Sequence, residues 1–418
     1  MNRTLAVGAG IGAVVALALT GCAASGTPAD DPDEKVTITY SNFISNGGNE
    51  DNLATIVDAF EKENPTITVD VKTLPYDSYG TALDTDLAAG TAADVFDING
   101  PSAYGQYQAN GVLAPLDGVD ASLYSPSLLS SYATDGTQYA LPTSFSDVVL
   151  FYNKALFDKA GLDYPTADWT WTDETAAAEK LTDQAAGVWG DHQPVTYNEF
   201  YKVLVQNGAS FLSPDGKSVA FNTPAGLEAA NWLVQKSGTT MPTIEDGQGT
   251  ADFDTNLFKD GKLAMLHTGI WMFGAFADDA DDWDIAVEPG NTQHANAVFS
   301  NAIGVSATSK HPEAAQKWAE FMSSSDTMVD VRLDSGWELP PIADSAKLAT
   351  YLDKGKPENR QAVFDAAKEI APAPSIGDNQ SEMQDDITNE LIEAQAGRET
   401  VQQALDNAEK KINALLQG

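Results

Sequence analysis

The chain has 418 residues, with 61 Asp and Glu against 23 Lys and Arg, and a formal net charge of −38. That balance excludes nucleic-acid binding, which needs basic surface to displace counterions, and 43% hydrophobic with 9% aromatic content excludes a disordered acidic tail. A single cysteine excludes an intramolecular disulfide and a cysteine-rich zinc site, while the length suits two to three domains of about 150 residues.

In chain order, Arg3 precedes an uncharged apolar run from Leu5 to Leu19. The run suits a secretory signal better than a membrane span, which needs about 20 apolar residues. Leu19-Thr20-Gly21-Cys22 resembles a bacterial lipobox, in which the cysteine thiol is diacylated and becomes the new first residue. Residues 1–21 are therefore expected to be a removable signal peptide. Residues 22–35 are then a lipid-anchored tether, small, acidic and Pro-containing, whose last thirteen residues reach at most about 45 Å. Gly8-Ala9-Gly10-Ile11-Gly12-Ala13 matches a dinucleotide fingerprint in spacing but lacks the strand before it and the βα unit after it.

The body begins with the alternating strand Val36–Tyr40, a helix over 49–63 stopped by Asn64-Pro65, and a second alternating strand through Ile67, Val69 and Val71. A helix carrying Tyr79, Leu83 and Leu87 ends at Gly90, and Asp94–Ile98 reads as a buried strand. Strand and helix alternating in this way predict a parallel, doubly wound α/β sheet, which binds ligands beyond the carboxyl ends of its strands. A second α/β block is predicted to start near Val148–Tyr152, with helices at about 172–184, 197–208 and 225–236 and short apolar runs at Lys262–Leu266 and Asp284–Val287. A strand returns near Asn301–Val305, and Pro312 sits in the first turn of the helix after it. The C-terminal third reads as helical.

Catalytic and metal-binding hardware is missing from the pattern. The four histidines, His192, His267, His294 and His311, are isolated from one another, with no H-x-x-x-H pair. Asp278–Asp282 lacks the glycine and terminal Glu of a calcium loop and reads as a solvated acidic loop. No G-x-S-x-G elbow occurs. Among 61 carboxylates no particular pair stands out as a glycosidase acid and base. The expectation is a binding protein without catalysis, cofactor or metal.

Six fragments, in order, carry a family resemblance: LATIVDAFEKENP ending at Pro65, GTAADVFDI ending at Ile98, YALPTSFSDVVLFYN ending at Asn153, FKDGKLAMLHTGIW ending at Trp271, IGVSATSKHPEAAQKWAEF ending at Phe321 and GRETVQQAL ending at Leu405. The chain resembles the extracellular solute-binding proteins of family 1, close to the maltodextrin-binding group that serves ATP-binding-cassette sugar importers. The resemblance implies a type II periplasmic-binding-protein-like α/β fold of two lobes with the ligand cleft between them. Lobe 1 would comprise 36–146 plus about 300–345, and lobe 2 would comprise 147–299 plus about 346–418. It implies a monomer on the extracellular face of the bacterial cytoplasmic membrane that captures a mono- or oligosaccharide and delivers it to permease subunits.

A pyranose offers an apolar face for aromatic stacking and a rim of hydroxyls for Asn, Asp and backbone groups. On that chemistry Trp271 is either the stacking platform that the family places there or core. Asn99 is either a ligand contact or a turn former with Gly100, and it replaces an aromatic common in maltodextrin binders, which argues for other oligosaccharides. Asn42 and Phe43 follow the first strand and could reach the same cleft, with Phe43 equally suited to the core; Tyr197 and Asn198 either line the cleft or cap and pack their helix; Trp337 is either a second aromatic platform or an ordinary loop aromatic; and Asn301 at the return strand is a further contact. Asp147 in the lobe crossing is either a ligand acceptor or a hinge residue. Two rival classes stay open at this stage: a receptor for a polyamine or iron, and a surface glycoside hydrolase.

Overall fold

The computed structural model describes residues 35–417 apart from 47, 251, 278–281 and 372. The signal segment, Cys22 and the tether up to residue 34 lie outside the described residues, as does most of the acidic stretch 278–282. Asp282 itself pairs with Lys154 (3.8 Å) and Lys356 (3.2 Å).

Three strands with a parallel arrangement open the fold. β1 (Val36–Asn42) lies between β2 (Ile67–Thr73) and β3 (Val95–Ile98), paired in parallel with both. The connections are α1 (Glu50–Glu63) and α2 (Tyr76–Ala89). Leu53, Ile56 and Phe60 form the buried stripe of α1, and Gly90 ends α2 in the left-handed conformation that an L side chain resists. α3 (Gly100–Ala109) follows β3, and the small hairpin of β4 (Ala133–Thr134) and β5 (Thr137–Gln138) precedes the next long element.

That element is β6, Ala140–Asn153, fourteen residues that pass from one sheet into the next. Its first half, Ala140 to Asp147, pairs antiparallel with β9 (Val298–Val305), which also pairs with β3. Its second half pairs with β7 (Met265–Gly269) on one side and β8 (Trp283–Ala286) on the other. Sequence patterning places the strand start near 148, whereas the strand begins eight residues earlier in the chain, at Ala140. The reason is burial: all but one of its positions are buried, so hydrophobic alternation disappears. Pro142, which cannot donate to the ladder, sits at the register shift between Pro142 and Ser144.

Helices cover the sheet. The helix Pro312–Ser324 buries Trp318 against Tyr40 (5.4 Å) and Phe60 (5.1 Å). The terminal pair Gln380–Gln395 and Val401–Leu415 packs Ile387, Leu391, Leu405 and Ile412 with Phe200 and Leu204 of the helix Tyr197–Gln206 into a second core. None of the described helices is long and apolar enough to cross a membrane.

Candidate functional site

The carboxyl ends of β1 and β3 meet at Asp97. Its carboxylate accepts the Tyr40 hydroxyl (2.6 Å) and the backbone N–H groups of Phe43 (3.1 Å) and Ile44 (3.3 Å). Burial outweighs these bonds and pushes the carboxyl up to about 7. The loop after β1 is thereby pulled inward. Asn42 is fully buried, donating to Thr73 Oγ1 (3.1 Å) and accepting from Ser45 N (3.2 Å) and Oγ (2.8 Å). Phe43 is buried against Tyr76 and Tyr79, with ring centroids 5.5 and 4.9 Å apart. Of the alternatives the sequence left, Phe43 takes the core, and Asn42, expected at the cleft, is buried by its bonds to Thr73 and Ser45.

The exposed groups above them are Tyr76 and Asn99. Tyr76, at the start of α2, is 59% exposed, and Asn99 Nδ2 donates to its hydroxyl (3.1 Å). Asn99 also precedes the turn at Gly100, whose φ of +83° favours glycine. It makes no side-chain cap to α3, so its amide carbonyl is left for other use. Sequence reading passed over Tyr76, although its place just after Pro75 and β2 marks it as a strand-end residue.

Register then brings Asn99 to the crossing strands. The last pair of β3 and β9 is Ile98 with Ala302, so Asn99 lies next to Asn301. On β6 and β9, Ser144 pairs with Asn301 and Ser146 with Phe299. These four share one face, because strand side chains alternate. Asn301 Nδ2 donates to Ser144 Oγ (3.3 Å), and Glu338 Oε1 accepts from Asn301 (3.5 Å) and Ser146 Oγ (3.3 Å).

Trp271 closes the other end of this face. It follows β7 in a short 3-10 turn, is 44% exposed, and meets Phe299 edge-on at 5.7 Å. A Cβ on Gly269 would stand 1.9 Å from the Trp271 ring, so the indole lies directly on the glycine backbone. Tyr76, Asn99, Asn301, Phe299 and Trp271 thus form a row with aromatic rings at both ends and two amides between them.

Four expected residues are placed elsewhere. Asp147 is fully buried on the opposite face of β6 from Ser146, with no side-chain partner among the described residues, and burial raises its carboxyl well above the ordinary range. Tyr197 is core: its hydroxyl donates to Pro374 O (2.6 Å) and its ring packs on Tyr201 and Phe211. Asn198 is exposed on the same helix. Trp337 is buried beneath the Arg332 guanidinium, 4.3 Å from the ring centroid, and is not a platform. A tryptophan in a loop satisfies either environment, and Arg332, five residues earlier, decides for the interior.

A buried ionic cluster lies beside β7, and the isolation of the histidines in sequence concealed it. His267 Nδ1 meets Glu288 (2.9 Å) and Nε2 meets Asp191 (3.2 Å) and Glu174 (3.3 Å). The carboxylates converge closely enough for a cation. Lysines already supply it: Lys236 bonds Glu174 and, at 2.8 Å, Asp191, while Lys202 bonds Glu288 (2.5 Å) and Glu199 (2.6 Å). Burial opposes the imidazolium, yet Glu288, Asp191 and Glu174 outweigh it and hold His267 well above the usual histidine range.

Comparison with known proteins bears on the family and the fold. The profile of the bacterial extracellular solute-binding protein family matches residues 46–329. The chain is similar to the ABC substrate-binding protein Lmo0181 of Listeria monocytogenes, solved in complex with cycloalternan, with a TM-score of 0.87 and 41% identity over 92% of this chain and 100% of that one. It is similar to the cyclic α-maltosyl-1,6-maltose binding protein of Arthrobacter globiformis, with a TM-score of 0.74 and 25% identity over 91% and 99% of the two chains. It is 22% identical over 409 residues to the maltodextrin-binding protein MdxE of Bacillus subtilis, covering 94% of this chain and 93% of that protein.

Proposed function

This chain belongs to the bacterial extracellular solute-binding proteins, and from that premise we propose that it is the carbohydrate receptor of an ATP-binding-cassette importer whose ligand is a cyclic or branched gluco-oligosaccharide. The observation that carries the sugar reading is Trp271: a large indole, 44% exposed and seated on a glycine, at the end of a row of hydroxyl, amide and ring groups. Stacking on a sugar's C–H face while Asn99, Asn301 and Tyr76 bond its rim is the chemistry such a row supports. The likeness to the cycloalternan-bound protein supports the finer assignment, and Asn99 in place of an aromatic agrees with a ligand other than linear maltodextrin. The two lobes divide at about residues 146–147, 299–300 and 345–346, and closure about β6 and β9 buries the sugar. The chain turns nothing over, acts as a monomer, and is held at the extracellular face of the membrane by lipid on Cys22.

Calorimetry against cycloalternan, cyclic maltosyl-maltose, isomaltotetraose and maltotetraose tests the reading, with saturable binding expected for a cyclic sugar. Absence of binding across the panel rejects it. W271A is expected to lower the affinity by about 1–3 kcal/mol, the range of other aromatic stacking platforms. Chromatography of the recovered sugar should show no cleavage, and mass spectrometry of the native protein should find a diacylated N-terminal cysteine that C22A lacks.

A further inference from the structure

Beside the row of sugar-facing groups stands one carboxylate that the stacking and amide contacts leave unexplained. Glu338 has a φ of +39°, a backbone state that side chains other than glycine adopt only at a cost. Both neighbours pin it there. Leu339 exchanges two backbone hydrogen bonds with Phe145 of β6 (2.9 and 3.0 Å), and Trp337 is clamped under Arg332. The strained residue is thereby aimed at the face shared by Ser144, Ser146, Phe299 and Asn301.

Its present bonds do not account for that aim. Ser146 and Asn301 approach at 3.3 and 3.5 Å, and Arg332 Nη1 at 3.6 Å. Charge-assisted bonds to a carboxylate run at about 2.7–2.9 Å, and a carboxylate has room for about four donors. The side chain is 11% exposed, open at one edge. Arg332, fully buried behind it, supplies a counter-charge, so the acceptor stands in place before any ligand arrives.

Resting on the sugar-binding reading, we propose that Glu338 is the specificity-determining acceptor of this site, taking two neighbouring hydroxyls of a neutral sugar and turning away anionic glycans by like-charge repulsion. Arg332 is its positioning residue. The alternative is that Glu338 serves only as the counter-ion of Arg332.

The two are separated by E338Q, which keeps size and removes charge, and by E338D, which keeps charge and shortens the reach. Calorimetry uses the tightest sugar of the panel above, and thermal melting runs in parallel. The proposal expects both variants to bind roughly 10- to 100-fold more weakly, the loss of a charged hydrogen bond, with E338D melting close to the native chain. Native-like affinity in E338D, or in a folded E338Q, reduces Glu338 to a counter-ion and overturns the proposal. A native chain that binds none of the sugars removes the sugar reading and this proposal together, a result distinct from native binding that the variants leave intact.

Discussion

Where an indole lies on a glycine backbone, a single methyl group is enough to move it. G269A is expected to displace the Trp271 ring, since the added carbon would stand 1.9 Å from it, and to weaken sugar binding about as much as W271A while leaving the aromatic in the chain; titration by tryptophan fluorescence checks this. Asp147 carries a different residue-level consequence. Its carboxyl is raised by burial, so the folded chain holds a proton that the unfolded chain releases above about pH 4. Stability is lost as pH rises from there towards the folded value. D147N, neutral at every pH, should therefore melt higher than the native chain at neutral pH and close to it near about pH 4, as read by calorimetric melting. Residue by residue, the sequence disclosed the exposed row unevenly. Trp271, Asn99 and Asn301 could be placed at the crossing because each follows or occupies a strand there. Asn42, Phe43 and Trp337 look the same whether a loop turns outward or inward: Asp97, which decides for the first two, comes from a distant strand, and Arg332, which decides for Trp337, stands only five residues away but declares itself only once the chain has folded back on it.

Elements gain their stability from partners that local pattern does not reveal. The helices α1 and α2 and the terminal helix pair were legible because one apolar stripe repeats at helical spacing. β6 was not, because burial on both faces erases the period. The ionic cluster around His267 draws on several elements, so no spacing rule finds it. Removing one partner of a buried ionic set leaves uncompensated charge, and H267Q is expected to cost about 3–5 kcal/mol in chemical denaturation. The sign of the pH dependence follows from the raised imidazole. Its contribution is complete below the unfolded value of about 6.5 and declines as pH rises through the higher folded value. The native chain should lose stability along that limb, and H267Q should lack this component.

At the scale of the whole molecule, the charge of −38 sets solubility and repulsion from anionic surfaces. It does not select the ligand. A neutral oligosaccharide held by stacking and hydrogen bonds should bind with the same affinity at low and high ionic strength, whereas a polyamine would weaken steeply as salt screens it. Calorimetry at two salt concentrations separates these. The six ordered fragments disclosed the class of molecule but not how its parts are tied together, because the chain returns to the first sheet only at Val298–Val305. That return, with β6 running unbroken through both sheets, governs how the protein comes apart. A fragment cut at residue 147 would lack the strand that β3 and the first half of β6 pair with, and the remaining piece would lose half of β6. Neither half has a complete sheet to fold around, so heating should give one calorimetric transition rather than two, and proteolysis should yield no stable half-molecule. Two lobes threaded on a common strand are obliged by that covalent continuity to melt together.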